Sequence, residues 1–454
     1  MTSQTDGATR WDAESIRALF DHEQGLLDRM VYSDEELYKL EKERIFARAW
    51  NFKCHESQIP ETGDYFITYI GEDQVIVVRD ETGKVNVLLN SCRHRGNALC
   101  RSEQGRAKSF VCAYHGWNYG LDGRLIGVPG QKVYYRDDFD RSQWGLVPAA
   151  KVESLHGFYF ATLDAEAPSL YDYLGDVGRT GLGTAAAFGG VVAVKGIMKN
   201  VINCNWKIAV DNIYDWYHVM YSHRSASATG FFDLAGTLRP QSQMVMLGEY
   251  GHGIGGPMIS REVQDAFAKD PVDGYAAYAE KVMPNMLAPR PLEATELLGG
   301  AGIRSLGHPN IFPNLWIAIN GAQMCLRLPR GPGATELWWF TFLPKAMPEP
   351  QRREMTRFIG HVFGPAGLLE QDDGENWTQS TLSSKGVGNR RVKLNLRMGL
   401  GHDTVTEEHG QRFIESPVSE HGQRWTYRAW TDWMAARSWA DLKANHALPP
   451  TGTV

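Results

Sequence analysis

The sequence predicts an α+β protein with two domains: a small all-β domain, and a larger domain whose antiparallel sheet is covered by helices in a helix-grip-like arrangement. Three observations lead to this prediction. Strand-like segments rich in β-branched and aromatic residues precede two short cysteine–histidine motifs. Strand-like and helix-like segments are mixed in the C-terminal half. With 454 residues, the chain is long enough for two domains or more.

The elements follow in order along the chain. Ser33 and Glu36 have the spacing of a capping box, which predicts the start of a helix after an N-terminal arm. The strand-like segments are 65–70, 74–79, 85–89, 315–319 and 337–342, and the helix-like segments are 349–363 and 421–446. Residues 166–195, rich in Gly and Ala, are expected to connect the domains. We therefore predict an arm and helix at 1–45 that pack on the larger domain, a small domain at 46–165 and the larger domain at 166–454.

Composition limits the possible partners and compartments. The net charge of −6 gives no reason to expect nucleic acid or an anionic membrane as a partner. The six cysteines, at 54, 92, 100, 112, 204 and 325, show no disulfide-framework spacing, which is typical of a reducing compartment. The sequence shows no secretory signal and no apolar run of membrane-spanning length. We expect a cytoplasmic protein.

Two cysteine–histidine motifs point to a redox metal site. Cys92-x-His94 is followed by Cys112-x-x-His115, and each motif supplies one thiolate and one imidazole. A Rieske [2Fe–2S] cluster takes two cysteines on one iron and two histidines on the other. Structural zinc motifs usually pair like with like, as C-x₂₋₄-C or H-x₃₋₅-H, and a disulfide would leave both histidines without a role. The motifs therefore favour a Rieske cluster and one-electron chemistry.

A second metal site is predicted in the C-terminal half. His218 and His223 are five residues apart, about 140° around an ideal helix, so a helix end or bend is needed for both to reach one ion. A mononuclear Fe(II) site that activates oxygen needs two histidines and one carboxylate on one octahedral face. Spacing alone leaves four candidate carboxylates: Glu370, Asp372, Asp373 and Glu375.

Together these residues identify a family resemblance. The chain resembles, over nearly its whole length, the α subunits of Rieske non-haem iron aromatic-ring-hydroxylating dioxygenases, similar to the naphthalene and biphenyl dioxygenase large subunits. The matching segments are the two Rieske motifs, Asn205-Trp206-Lys207 with Asp215-x-Tyr217-His218-x₄-His223, Phe312-Pro313-Asn314, Phe363-Gly364-Pro365-Ala366-Gly367 with Asp372-Asp373, and Met398-Gly399-Leu400-Gly401. The resemblance implies that Asp373 completes the iron ligands and that Asn212 lies close to the iron without being a firm ligand.

The resemblance also implies partners and further site residues. Asp215 would orient His218 and bridge electrons from His115 of a neighbouring subunit in a homotrimer, α3 or, with a small β subunit, α3β3. A reductase and a ferredoxin would deliver electrons from NAD(P)H, and O₂ would be added to an aromatic ring to give a cis-dihydrodiol. Val219, Phe363 and Leu369 would line the substrate pocket.

Three other functions are compatible with parts of the pattern. A Rieske monooxygenase, which hydroxylates a ring once or removes an O- or N-methyl group, would use the same ligands. A pure electron-transfer Rieske protein would lack the second iron site, and a zinc-stabilised binding module would lack both. The sequence leaves aromatic hydrocarbons and aromatic carboxylates open as substrates.

Overall fold

The computed structural model describes residues 9–231, 243–269, 290 and 292–454. The first eight residues of the predicted arm lie outside this range. The chain divides into two compact units, which we call the inserted unit, Phe46–Leu170, and the discontinuous unit, Met1–Ile45 with Tyr171–Val454. Helices and antiparallel sheets are mixed as the predicted α+β class requires. None of the helices in the described part of the chain is long and apolar enough to cross a membrane.

The inserted unit, all of whose residues are described, is built from three small antiparallel sheets. One has the strand order Val85–Leu89, Asp73–Arg79, Asp64–Ile70 and Gln104–Arg106. The second has the order Lys151–Leu155, Phe158–Thr162 and Asn51–His55, and the third has the order Leu125–Gly127, Asn118–Tyr119 and Phe110–Val111. Alternating apolar side chains such as Ile76, Val78 and Leu88 form the core, which also contains Cys92 and Cys112.

The described residues of the discontinuous unit contain a ten-stranded antiparallel sheet. Its order is Val191–Ala193, Thr335–Pro344, Gln323–Pro329, Leu315–Ala318, His308–Ile311, Gly253–Pro257, Gln243–Leu247, Gln411–Ser416 and Val405–Glu408, and Met198–Ile202 also pairs with Thr335–Pro344. Short strands at Phe20–Asp21, Leu26–Leu27 and Leu394–Asn395 form a separate sheet. The α-helices among the described residues of this unit are Ala13–Arg17, Glu35–Glu41, Leu170–Ala186, Trp206–Asp211, Val219–Ser222, Arg224–Ala228, Arg261–Lys269, Thr295–Gly302, Glu349–Val362, Leu368–Ser384, His421–Ala435 and Trp439–Asn445, and the inserted unit contains the short helix Gln131–Tyr134.

Most of the predicted connection at 166–195 is helical, since Leu170–Ala186 forms a helix that the sequence did not indicate. Glycines disturb the apolar periodicity by which this helix could have been predicted. Gly175 has φ 53°, a non-helical backbone that interrupts the periodicity. Gly181 lets the helix approach the sheet, since a Cβ there would lie 2.8 Å from Cβ of Pro309. The helix therefore has small residues at close-packed positions where an apolar side chain would normally indicate a helix.

Two predicted helix boundaries also differ from the structure. Asp34, not Ser33, caps the helix Glu35–Glu41, and its Oδ1 accepts the backbone N–H groups of Glu36 and Leu37 at 3.0 Å. The predicted helix 421–446 is two helices, because Ser438 caps the second through the backbone N–H of Asp441. In both places a competing polar side chain next to the expected position provides the cap.

The helix Glu35–Glu41 is tied to the rest of its unit by a buried acid. Glu41 is fully buried, and its carboxylate accepts the indole N–H groups of Trp206 and Trp430, each at 2.8 Å. It also forms an ion pair with buried Lys207. Because every charge and donor in this group has a partner, we call it the Glu41 cluster and treat it as a structural tie.

Candidate metal centres

The two cysteine–histidine motifs form matching turns in the inserted unit. The backbone N–H of Gly96 donates to the carbonyl of Cys92 at 2.8 Å, and that of Gly116 donates to the carbonyl of Cys112 at 2.9 Å. The two glycines have φ 72° and 74°, a left-handed conformation that favours glycine. In each turn the cysteine N–H also donates to the carbonyl of the residue after the glycine. The sequence motifs are therefore two copies of one turn.

The four predicted cluster ligands are arranged with sulfur inside and nitrogen outside. Cys92 and Cys112 are buried, His94 is half-buried and His115 is exposed. The two imidazole rings lie 4.4 Å apart between centroids. Nδ1 of His94 is buried and has no hydrogen-bond partner, so it is free to bind a metal. This fits a cluster whose cysteine iron faces the core and whose histidine iron faces the surface.

Polar groups around the sulfurs favour thiolates. The Tyr119 hydroxyl lies 3.3 Å from Sγ of Cys92, and Nδ2 of Asn97 lies 3.7 Å from Sγ of Cys112. Burial raises the pKa of the Cys112 thiol, but hydrogen bonds from the backbone of Tyr114 and the side chain of Asn97 outweigh burial and lower the pKa below its ordinary value. Since iron binds the thiolate, this environment fits the predicted cluster.

Aromatic rings cover the two histidines. Trp117 stacks on His94 at a centroid distance of 5.1 Å and an angle of 9°, and Tyr114 lies 3.8 Å from His115 between centroids. The covering residues, Tyr114 and Trp117, are both part of or next to the second motif. They limit how freely the imidazole rings turn and how much water reaches the site.

The second candidate site is in the discontinuous unit, where helix ends position two histidines. His218 is the residue before the short helix Val219–Ser222, and His223 is the residue between that helix and Arg224–Ala228. The chain thus ends one helix and starts another within five residues. This arrangement provides the helix end that the spacing of the two histidines required.

Three side chains converge on one point at this site. Nε2 of His218 lies 3.1 Å from Nε2 of His223, and Oδ1 of Asp373 lies 3.2 Å and 3.4 Å from these two nitrogens. Donor atoms about 2.1 Å from an octahedral ion are about 3 Å apart when they occupy neighbouring positions. All three distances are close to that value, so the three donors fit one face of a single ion and leave the opposite face open.

The structure distinguishes among the four candidate carboxylates. Only Asp373 joins both histidines among the described residues, as part of the helix Leu368–Ser384, which we call the carboxylate helix. Asp372 lies 3.7 Å from Nδ1 of His223. Glu370 accepts hydrogen bonds from Asn200 and from the backbone of Gly364, and Glu375 accepts one from Gln379. Spacing could not separate these residues because all four lie within two turns of one helix.

A carboxylate lies behind each histidine. Oδ2 of Asp215 is 3.5 Å from Nδ1 of His218, and Asp372 is in the corresponding place behind His223. Burial lowers the pKa of His218, but the charges of Asp373 and Asp215 outweigh burial and raise the pKa to about 10. For His223 burial dominates and lowers the pKa. The Nε2 atoms of both imidazoles thus face the ligand point, and their Nδ1 atoms face carboxylates.

The remaining predicted site residues are Val219, Phe363, Leu369 and Asn212. Val219 follows His218 directly, and Phe363 and Leu369 are buried on either side of the turn before the carboxylate helix. Asn212 ends the helix Trp206–Asp211, is half-buried, and has no side-chain hydrogen bond to the three converging residues. Its predicted position beside the iron stays a prediction.

The sequence did not single out an aromatic group around Phe363. Phe363 stacks on Trp339 at 5.1 Å and 5°, and it contacts Trp316 edge-on at 4.7 Å. His308 lies 5.1 Å from the ring of Trp316. Burial, with the charge of Arg327 acting in the same direction, lowers the pKa of His308 to about 3. Strand alternation signals which residues share a face, but only the sheet order brings these strands together.

Comparison with known proteins agrees with both centres. Residues 49–142 match the Rieske [2Fe-2S] domain, and residues 174–436 match the ring hydroxylating alpha subunit catalytic domain. The chain is 36% identical to the biphenyl dioxygenase subunit alpha of Paraburkholderia xenovorans, with 96% of each chain covered. It is 34% identical to the large oxygenase component of the naphthalene 1,2-dioxygenase system of Pseudomonas aeruginosa, covering 93% of this chain and 94% of that one.

Solved structures extend this similarity. Naphthalene 1,2-dioxygenase with indole bound in the active site has a TM-score of 0.83 and 31% identity, covering 96% of this chain and 97% of that one. A quaternary ammonium Rieske monooxygenase has a TM-score of 0.66 at 17% identity, which shows a shared fold alone. The chain therefore belongs to the family of Rieske ring-hydroxylating dioxygenase α subunits, oxidoreductases with a [2Fe–2S] cluster and a non-haem iron.

Proposed function

We propose that this subunit cis-dihydroxylates an aromatic ring, using O₂ and electrons that originate from NAD(P)H and arrive through a reductase and a ferredoxin. The observation behind the proposal is the convergence of His218, His223 and Asp373 at 3.1–3.4 Å in a chain that also has the two Rieske motifs. Relatives named as dioxygenases of biphenyl, benzene and naphthalene support an aromatic substrate.

We assign ligands to each centre from residue chemistry. Cys92 and Cys112 would hold one cluster iron, His94 and His115 the other, and His218, His223 and Asp373 would hold Fe(II). When bound, these groups supply single electrons and the activation of O₂. The protein contributes hydrogen bonds that favour the thiolate of Cys112, and a set of two imidazoles and one carboxylate that could hold Fe(II).

Asp215 has two proposed roles. It holds the proton of His218 at Nδ1, which leaves Nε2 free as the donor that faces His223 and Asp373. As in the family, we further propose that it bridges electron transfer from His115 of a neighbouring subunit. This second role requires a homotrimer of α subunits, alone or with small β subunits as α3β3.

Positioning of the ring is assigned to apolar residues near the three ligands. Val219 is adjacent to His218 in sequence, and Phe363 and Leu369 lie just before and at the start of the carboxylate helix. Apolar side chains exclude water and orient a flat ring without taking part in proton transfer. Asn212 is proposed to lie near the metal as a polar neighbour rather than a ligand.

The alternative is Rieske monooxygenation, because the same ligands and the same fold serve that reaction. Product mass distinguishes the two. We would express the chain with a small β subunit, a ferredoxin and a reductase, and supply aromatic hydrocarbons, aromatic acids and aryl methyl ethers. A product that gains two oxygens and two hydrogens supports dihydroxylation. A gain of one oxygen, or loss of a methyl group, would instead establish the monooxygenase function.

A further inference from the structure

One face of the ten-stranded sheet lies under the carboxylate helix. Directly paired residues on antiparallel strands point to the same side of a sheet. In the strand Gln323–Pro329, Cys325 pairs with Trp316 on one side and with Trp339 on the other. Arg327, two residues further along this strand, pairs with Leu337 and lies on the same face. Asn200, which also pairs with Leu337, donates to Oε1 of Glu370 at 2.9 Å. This bond places the first turn of the carboxylate helix over the face that contains Arg327.

Arg327 is a buried cation with unused donors. Its residue is 1% exposed, and neither its Nε nor its Nη1 has a hydrogen-bond partner. The guanidinium lies 4.5 Å from the ring centre of Trp316, which supports its plane from one side. The indole N–H groups of Trp316 and Trp339, on the same face, also have no acceptor. Buried donors are nearly always paired in native proteins, so these N–H groups can take an acceptor from a bound molecule. On the same face, Oδ1 of Asn200 is also buried without a donor.

Glu370 does not provide that acceptor. Its two oxygens already accept the Asn200 amide at 2.9 Å and the backbone N–H of Gly364 at 3.1 Å. The described residues include no ion pair between Glu370 and Arg327, although the charge of Glu370 reaches Arg327 from a distance and partly offsets burial, which lowers the pKa of Arg327. Glu370 therefore balances charge but leaves the guanidinium N–H groups unsatisfied.

Arg327 lies in the aromatic group next to the carboxylate helix. Its guanidinium is 4.5 Å from the ring centre of Trp316, and Trp316 contacts Phe363 edge-on at 4.7 Å. Phe363 comes just before the carboxylate helix that contains Asp373, so a group bound to Arg327 would lie on the side of the sheet that faces this helix. A purely hydrocarbon substrate would offer it no acceptor, whereas a carboxylate offers two oxygens and a matching charge.

We propose that Arg327 binds a carboxylate on the aromatic substrate and so selects aromatic acids over neutral rings. The proposal rests on the proposed function, since it takes the space beside His218, His223 and Asp373 as the substrate site. It narrows the substrate class that the sequence left open. Trp316 would hold the guanidinium plane, and the apolar group around Phe363 would receive the ring.

Binding of matched ligand pairs tests this directly. The metal-loaded oxygenase, kept free of oxygen to prevent turnover, is titrated by calorimetry with benzoate and benzamide, and with 2-naphthoate and 2-naphthamide. Hydrogen bonds to a charged group predict that the wild type binds each acid about 10–100-fold more tightly than its amide. In Arg327→Gln the ratio falls to about one, while amide binding is unchanged. Arg327→Lys, which retains the charge without the planar guanidinium, keeps part of the preference.

Two control variants separate recognition from structure. Arg290→Gln removes another fully buried arginine, whose guanidinium contacts backbone carbonyls including that of Ser305, and leaves the acid-to-amide ratio unchanged. Glu370→Gln removes the charge near Arg327 and retains or raises the ratio. Equal binding of acid and amide by the wild type overturns the proposal even if Arg327→Gln does not fold.

Different experimental outcomes would refute this inference and the proposed function. An enzyme that converts naphthalene to a dihydrodiol and shows no preference for acids keeps the function and refutes the role of Arg327. An enzyme that binds acids through Arg327 but releases a product with one added oxygen keeps that role and refutes dihydroxylation.

Discussion

Asp215 contacts His218 with both of its carboxylate oxygens, one at the backbone and one at the imidazole ring. Oδ1 accepts the backbone N–H of His218 at 3.1 Å, and Oδ2 lies 3.5 Å from Nδ1 of its ring. One carboxylate therefore fixes both the chain and the imidazole of a proposed iron ligand. Asp215→Ala is expected to retain most of its iron but to lower product formation by about 10–100-fold or more, because the His218 ring loses the carboxylate that orients it and the proposed electron bridge is lost.

The measurement combines iron content with rapid reduction of the cluster and product yield. Asp372→Asn is the matched control, because Asp372 is in the corresponding place behind His223 at 3.7 Å but has no proposed electron role. We expect a smaller loss of product in this variant. Wild-type turnover in Asp215→Ala would contradict both roles of Asp215.

Asp373 is predicted to be the carboxylate that retains the mononuclear iron. Asp373→Asn removes the charge shared by the two histidines, so iron should fall from about three to about two per chain while the cluster remains. Iron analysis and the visible spectrum of the cluster measure the two centres separately. Glu370→Gln, a change on the same helix, should keep about three irons, and equal iron loss in both variants would argue against the assignment.

Tyr119 is predicted to raise the reduction potential of the cluster. Its hydroxyl is 3.3 Å from Sγ of Cys92, and a hydrogen bond to sulfur stabilises the reduced, more negative state. Tyr119→Phe should lower the potential by roughly 40–60 mV, which corresponds to about 1–1.4 kcal/mol for one electron. Protein-film voltammetry measures the shift. Tyr114→Phe, whose hydroxyl contacts Arg95 rather than sulfur, should leave the potential nearly unchanged.

Asp211 is predicted to make stability depend on pH. Burial raises its pKa to about 8 from an ordinary 3.8, and Tyr427 donates to its carboxylate. Between these two values the folded state holds one proton more than the unfolded state, so its free energy of unfolding falls by about 1.4 kcal/mol per pH unit as pH rises. Urea unfolding of wild type and Asp211→Asn at pH 6.0 and 7.5 should show this fall only in the wild type. Parallel losses in the two proteins would mean that other groups dominate.

The sequence was most informative where a single short segment determines the structure. The metal motifs are local, and the strands at 64–70, 73–79 and 85–89 show alternation that one window can detect. The helix Leu170–Ala186 was missed because several of its positions are glycines. Gly181, for example, is required by the close approach of Pro309 in the neighbouring sheet, which a local sequence pattern does not show. Contacts between distant segments leave little trace in any one window.

The candidate site shows the same limit. His218 and His223 were singled out because the chain already had a redox-cluster motif, since their spacing alone indicates little. Asp373 could be separated from Glu370 only through the family resemblance, and in the structure only through its distance to both histidines. Arg327 gave no local signal, since an arginine among apolar residues in a strand predicts little by itself. Its significance depends on the sheet order that places it beneath the carboxylate helix.

The Glu41 cluster has a consequence for synthesis of the chain. Glu41 is made 389 residues before Trp430, whose indole N–H it accepts. At about 5–20 residues per second, the acid leaves the ribosome roughly 20–80 s before its last partner exists. During that interval the inserted unit, with its own core, can already fold. The helix Glu35–Glu41 can therefore complete its buried contacts only after the C-terminal part of the discontinuous unit has been synthesised.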